Sequence, residues 1–262
     1  MVVVLLMGEY DMNNTHWDNV AGWYDSYLEH SSDTYQDKVI APNMLRMLGL
    51  TKNDRVLDVA CGQGYFARLV AKAGAIVVGF DQSKELITKA SERKGENETY
   101  LVGNAETIDA LKLRSFDLAY SVLAFENIKN IGAVLTGVAG VLKKEGKFVL
   151  VLLHPAFRIP QHSDWGYDSK KAVQYRKVEK YLSEVSIPIE LSPFKGAKKE
   201  TTTTFHRSLQ WYTKAFKNAG FAITTMEEWI SHKKSQPGPR QAAEDAARKE
   251  FPLFLALELK KL

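Results

Sequence analysis

Residues 56–67, VLDVACGQGYFA, join a run of β-branched and apolar residues to a glycine turn and then to a stretch with helical spacing. Glycine at such a turn lets the backbone bend sharply and approach a ligand closely, the role expected of Gly62 and Gly64. Gly62, Gly64 and Ala67 also match the GxGxxA form of a dinucleotide-binding turn, and Asp81 follows Gly62 by 19 residues, close to the interval of a ribose-binding acid. Asp58 separates the possible ligands. A pyrophosphate pressed against this turn would meet a carboxylate at the strand tip and be repelled, whereas a ligand carrying an ammonium or sulfonium would be attracted. The competing reading of Asp58 is a solvated acid capping a turn.

Three further side chains could move a proton. Glu126 follows the fourth expected strand, His154 follows the fifth in the sequence LLHP, and His206 closes an irregular stretch. Imidazole titrates near neutrality and burial can tune a carboxyl toward it, so each is a candidate general base, with His154 first because it stands directly beyond a strand. A structural role is the alternative for each. Trp165, Tyr167, Tyr175 and Tyr181 would suit a lid over a ring or a cationic amine, or else form a small core of their own. No close pair or triplet of Cys, His or carboxylate has metal-ligand spacing, so no metal is expected.

The elements that must hold these groups alternate between residues 55 and 153, as expected of repeated βα units around a parallel sheet. Short, continuously apolar runs predict strands at 55–59, 76–81, 99–102, 116–121 and 147–153. Helices are expected at 65–73, 83–93 and 131–144, the second opened by Ser83 as N-cap. Upstream, 17–50 reads as two or three helices within an amino-terminal cap over 13–50. Downstream, 155–204 holds Pro155, Pro160, Pro188 and Pro193, with only 171–182 read as helical, and is expected to be an inserted substrate lid. Order returns with a helix at 209–219, a strand at 221–229, a helix at 241–249 and a strand at 253–259. That last strand has no long crossover before it and is expected antiparallel. The fold class is therefore α/β over a single domain, 1–262. It is a doubly wound, mostly parallel seven-stranded sheet with an antiparallel last strand and helices on both faces.

Composition excludes several classes. The chain is 45% apolar and 25% charged over 262 residues, enough for a substantial core and unlike a disordered protein. Cys61 is the single cysteine, which rules out an intramolecular disulfide and favours a cytoplasmic setting. The opening MVVVLLM is too short to span a membrane and lacks a signal-peptide cleavage site. The net charge of +4 comes with scattered lysines rather than one basic face, which argues against a nucleic-acid partner.

The segment LDVACGQGYFA resembles motif I of the class I S-adenosylmethionine (SAM)-dependent methyltransferases, with Ala60 where many members carry the first glycine. By that resemblance Asp81 takes both ribose hydroxyls, and Gln82 packs near adenine. Gly103, Asn104, Ala105 and Glu106 stand for a GDAE-like segment in which Asn104 replaces the acid that meets the adenine amino group. FDLAYSVLAFENI resembles the fourth-strand segment whose tip at Ser121, Val122 and Leu123 touches the methionine part, and HWDNVAGWYD resembles a helix from which Tyr24 closes over the cofactor. LKKEGKFVLV and LQWYTKAFKNAGF resemble later stations, while 155–204 has no counterpart. The resemblance implies SAM as cofactor and S-adenosylhomocysteine as product. It further implies in-line methyl transfer to an O or N of a small-molecule acceptor, helped by a general base. Methyl transfer to protein or RNA, an NAD(P)-dependent oxidoreductase and a non-catalytic SAM-binding module are the rival functions.

Overall fold

Five parallel strands form first in the chain: β1 (Arg55–Val59), β2 (Ile76–Asp81), β3 (Glu98–Val102), β4 (Phe116–Val122) and β5 (Leu142–Leu153). A computed structural model describes residues 17, 18, 21–191 and 200–262, apart from the side chains of Tyr24, Leu191 and Glu200. Later in the chain, β10 (Phe221–Trp229) and β11 (Phe254–Lys261) complete a seven-stranded sheet of order β10-β11-β5-β4-β1-β2-β3. The last strand in sequence lies inside the sheet, antiparallel to β5 on one side and to β10 on the other. The expected mostly parallel seven-stranded sheet and its antiparallel last strand are both present.

Apolar stripes place the helices. Helices α2 (Ala41–Leu48), α3 (Tyr65–Lys72) and α4 (Lys84–Glu92) pack on one face over Val56, Leu118, Tyr120 and Val149. Helices α5 (Ile131–Val141) and α6 (Leu209–Asn218) pack on the other over Leu57, Val59, Phe148 and Leu150. Burial on both faces explains why the strand sequences are continuously apolar instead of alternating. Ser83 caps α4 as expected, accepting the Leu86 N–H at 3.1 Å. The expected helix at 131–144 ends at Val141, where the chain turns straight into β5.

Upstream of the sheet, α1 (Ala21–His30) is followed by a π-helical turn, Gln36–Ile40, that leads directly into α2. Part of the expected cap, 13–16 and residues 19 and 20, lies outside the described residues. Helix α1 is joined to the body through acids: Asp25 pairs with Arg93 and Lys89, Glu29 with Arg68 and Gln63, and Asp18 just before the helix accepts from Ser83.

The insertion is a pair of hairpins. Strands β6 (Ser163–Asp168) and β7 (Val173–Val178) form the first, β8 (Val185–Leu191) and β9 (Glu200–His206) the second. The helix expected at 171–182 is absent. Its core, VQYRKV, alternates half-buried and exposed residues as one strand of a two-stranded ribbon. The two hairpins part company. The first packs toward α7 (Gln241–Glu250): the Arg240 guanidinium lies 4.4 Å over the Tyr167 ring, and Trp165 meets Phe251 edge-on at 5.6 Å. The second packs on the segment after β4, where the Thr204 hydroxyl donates to the Glu126 carbonyl at 3.2 Å.

Candidate cofactor and acceptor site

The carboxyl ends of β1, β2 and β4 open onto a cavity of about 300 Å³, at the lower end of the size range of small-molecule sites. Register brings its acids together. Asp58 stands opposite Gly79 in β2 and Tyr120 in β4, and the Tyr120 hydroxyl donates to Asp58 Oδ2 at 2.7 Å. Asp81, at the tip of β2, accepts the Gly62 N–H on Oδ2 at 3.0 Å and the Ser83 N–H on Oδ1 at 2.9 Å. With the Gln82 N–H also reaching this carboxylate, three of its four lone pairs meet backbone amides and one is left for a further donor.

Burial dominates the electrostatics. Asp58 is 3% exposed, and loss of solvent pushes its carboxyl up to about 8, against the opposing pull of the Tyr120 hydrogen bond and with an added push from the Asp81 charge. Burial likewise raises Asp81, although three backbone N–H groups oppose it. No described Lys, Arg or His pairs with Asp58. A buried carboxylate on a cavity wall without a cation is matched by a ligand that brings one.

Two non-glycine residues on the cavity wall adopt left-handed backbone, Ala60 at φ 59° and Leu123 at φ 52°. This conformation costs an L-residue on the order of 1 kcal/mol and gathers at functional sites. Both sit where a strand ends and its chain must turn away from the ligand.

The cavity is lined by Asp58, Ala60, Gly62, Asp81, Gln82, Asn104 and Ala105 among the expected cofactor residues. Asn104 Oδ1 accepts the Glu106 N–H at 2.8 Å and caps a 3-10 turn, so that lone pair serves the turn. Gly64 does not line the cavity. At φ 80° it opens α3, and a Cβ there would stand 2.6 Å from the Tyr100 hydroxyl. Ser121 does not line it either; fully buried, its hydroxyl donates to the Val59 carbonyl at 2.8 Å and braces β4 against β1. Tyr24 lies in α1, its side chain outside the described residues.

The three proton-transfer candidates are not brought together at the cavity. His154 is 1% exposed; its Nε2 lies 2.7 Å from Glu228 Oε1 and its Nδ1 accepts the Ala156 N–H at 3.2 Å. Nδ1 as acceptor leaves the proton on Nε2, which donates to Glu228, so both ring nitrogens are engaged. Burial holds the ring below its ordinary range against the pull of Glu228. His154, expected first among the general-base candidates, does not line the larger cavity. Glu126 and His206 face a second, smaller pocket instead, with His206 Nε2 donating to the Tyr181 carbonyl at 2.8 Å. Glu126 Oε1 accepts the Leu153 N–H at 2.6 Å, and burial pushes this carboxyl up to about 7. Trp165, Tyr167 and Tyr175 stay with the first hairpin, away from the cavity.

Other wall residues escaped the sequence reading. Trp17 and Leu28 come from the amino-terminal segment, Asn127 and Lys129 from the loop after β4, and Phe205 from β9. Phe205 is the insertion's single contribution among the described residues, and the β-branched run TTTT before it was the available signal for its strand. Arg207, 5% exposed, donates to the carbonyls of Phe125, Ile128 and Lys129 and so fixes that loop. Among the described residues no three His, Cys, Asp or Glu side chains are placed to hold a metal, and no helix is long and apolar enough to cross a membrane.

A seven-stranded sheet of this order, with a glycine turn after β1 and an acid at the tip of β2, defines a class I methyltransferase fold. Residues 57–150 match the family described as a methyltransferase domain. The chain thus carries a methyltransferase domain over these residues, in a fold that matches the class I S-adenosylmethionine-dependent methyltransferases. It is 36% identical over 107 residues to a demethylmenaquinone methyltransferase of Tropheryma whipplei, a match spanning 40% of this chain and 44% of that relative, less than half its length. Among solved structures, it resembles a SAM-dependent methyltransferase from Mesorhizobium loti with 24% identity and a TM-score of 0.65, covering 89% of this chain and all of that one. A second, from Listeria monocytogenes, shares 25% identity and a TM-score of 0.63 over 84% of this chain and 97% of its own.

Proposed function

We propose that the protein binds SAM in the larger cavity and transfers its methyl group to an oxygen or nitrogen of a small-molecule acceptor. The observation that carries this reading is Asp58, a buried carboxylate on the cavity wall that lacks a cation. Once ionised, Asp58 would attract the ammonium of SAM and repel a pyrophosphate, so only the ammonium offsets the cost of charging this buried group, which disfavours the NAD(P) reading. Asp81, oriented at the tip of β2 by the Gly62 and Ser83 amides, would accept from the ribose hydroxyls. Phe80, Leu86 and Ala105 supply apolar wall for the adenine, and Gly62 lets the backbone come close.

Bound SAM would supply a methyl already activated on sulfonium, so the protein's task is to position the acceptor and exclude water. Val122, Leu123, Ala124, Ile128 and Phe205 form the apolar wall suited to that end of the cavity. The name of the menaquinone-related relative supports a ring-bearing acceptor for this chain as well. The chain is read as one catalytic domain, with α1 as cap over the cofactor and the second hairpin as the acceptor-side wall.

Calorimetry tests the cofactor. SAM should bind without added metal, and Asp81→Ala should weaken it by at least about 1 kcal/mol, because two buried hydroxyls lose their acceptor. Binding of NAD with none of SAM would overturn the reading. Turnover of labelled SAM against hydroxylated, aminated and carboxylated metabolites, with mass spectrometry of products, separates an enzyme from a SAM-binding module.

A further inference from the structure

Helix α1 borders the larger cavity through Leu28, yet its attachment to the body is not that of the other helices. Its buried face runs Ala21, Asp25, Leu28 at helical spacing, so an acid stands at the centre of the inward stripe. Neither apolar core of the sheet takes a described residue from α1. Charge fastens it instead.

Towards α4, Asp25 is 6% exposed and accepts from both terminal nitrogens of Arg93, at 2.8 Å for Nη2, with the Lys89 ammonium 3.5 Å away. Towards the glycine turn, Glu29 accepts from Arg68 and, at 3.2 Å, from the Gln63 side-chain amide. Gln63 is 1% exposed and lines the cavity, next to Gly62 in the turn. Arg68 closes the ring by donating to the Gln63 side-chain oxygen at 3.0 Å and to its backbone carbonyl at 2.8 Å. One guanidinium thus grips both the turn and the helix. Beyond α1 the chain makes an exposed turn at Ser31 and Ser32 and is then anchored to the segment after β10. There Asp33 accepts from Lys233 and lies 2.8 Å from His232 Nε2, and the Tyr35 and Ser231 hydroxyls are 3.1 Å apart. A fixed base, an exposed turn and a helix held down by charge make the geometry of a hinged lid.

We propose that α1 is a lid shut by an ionic latch, Asp25 on Arg93 and Glu29 on Arg68, with Gln63 as the catch that ties it to the glycine turn. Opening of this latch sets the rate at which cofactor and demethylated product exchange, which rests on the reading of the larger cavity as the SAM site. A lid seated on apolar surface would not loosen with salt; a latch of partly exposed charges does.

Stopped-flow binding of S-adenosylhomocysteine tests it, because this product carries no net charge and its encounter with the protein is insensitive to salt. Asp25→Asn keeps the side chain's shape and removes its charge. Association and release should both quicken about tenfold, the scale of a lost hydrogen bond between charged groups, while Kd moves less than about threefold. A merely structural role would raise Kd through release alone. Raising salt from about 0.05 M to about 0.5 M should speed release from the unaltered protein but not from the Asp25→Asn, Glu29→Gln double variant. Glu29→Gln alone should quicken both rates about threefold, and it keeps the test decisive if Asp25→Asn does not fold. In the ligand-free protein, hydrogen exchange at the α1 amides should be about tenfold faster in Asp25→Asn, since a detached helix of this length melts, with α2 and α6 unchanged within about twofold. Rates that do not move, release that quickens without association, salt-independent release from the unaltered protein, or unchanged exchange at α1 would overturn the proposal. Failure of S-adenosylhomocysteine to bind at all would overturn the donor-site reading instead, and exchange at α1 would still judge the latch.

Discussion

Binding of SAM should expel a proton from the protein, and Asp58 sets how much. With its carboxyl pushed up to about 8 by burial, Asp58 is protonated in the cofactor-free protein at pH 7. A carboxyl near 8 is about 90% protonated at pH 7, and the incoming ammonium favours its ionised form, so binding should release about 0.9 proton. Affinity should then climb about tenfold between pH 6 and 7, a change of about 1.4 kcal/mol, below the range in which the amine of SAM itself titrates. Calorimetry in buffers of different ionisation enthalpy measures the released proton directly. In Asp58→Asn the release and the slope should both vanish. The same group sets a stability trend of opposite sense. Its folded-state value lies above the ordinary carboxylate value of 3.8, so its contribution is present at acid pH and is lost as pH rises from about 4 toward about 8. Cofactor-free Asp58→Asn should therefore melt higher than the parent protein at pH 8. Proton release below about 0.2 at pH 7 together with a flat affinity profile would refute the reasoning, because Asp58 would then be ionised before the cofactor arrives.

Two further outcomes concern the walls of the site. Gly62 lines the cavity at φ 56°, so Gly62→Val should abolish SAM binding through ligand clash and left-handed strain; retained calorimetric affinity would contradict the turn's role. Arg207→Met leaves the Phe125, Ile128 and Lys129 carbonyls without their donor and should cost about 2–4 kcal/mol in urea unfolding. Arg207→Lys should not restore it, because a single ammonium lacks the planar fork that spans them; recovery by lysine would mean the charge alone matters.

The sheet and the cofactor side of the site were legible because their signals are local. Strand, glycine turn and acid lie within a few residues of one another in VLDVACGQG, and the side-chain chemistry of Asp58 limits what can sit beside it. The acceptor side depends on distant partners. His154 stands beyond β5 as its position implies, but its direction is set by Glu228, 74 residues later in β10. In KAVQYRKVEKYL the apolar residues fit both a helical stripe and an alternating strand, and only pairing with 163–168 decides between them. Gly64 and Ser121 carry the residue types of ligand contacts, yet Tyr100 and the Val59 carbonyl, on neighbouring strands, claim them for packing.

Strand β11 is synthesised after β10 yet lies between β10 and β5. The sheet therefore cannot be assembled in the order in which the ribosome delivers its strands. Until residue 261 has emerged, the outer edge of β5 stands unpaired along FVLVLL and β10 has no neighbour to join. An open, apolar edge of this length invites pairing with another nascent chain. Production of this protein should accordingly be governed less by the stability of the finished fold than by how long that edge waits for its partner.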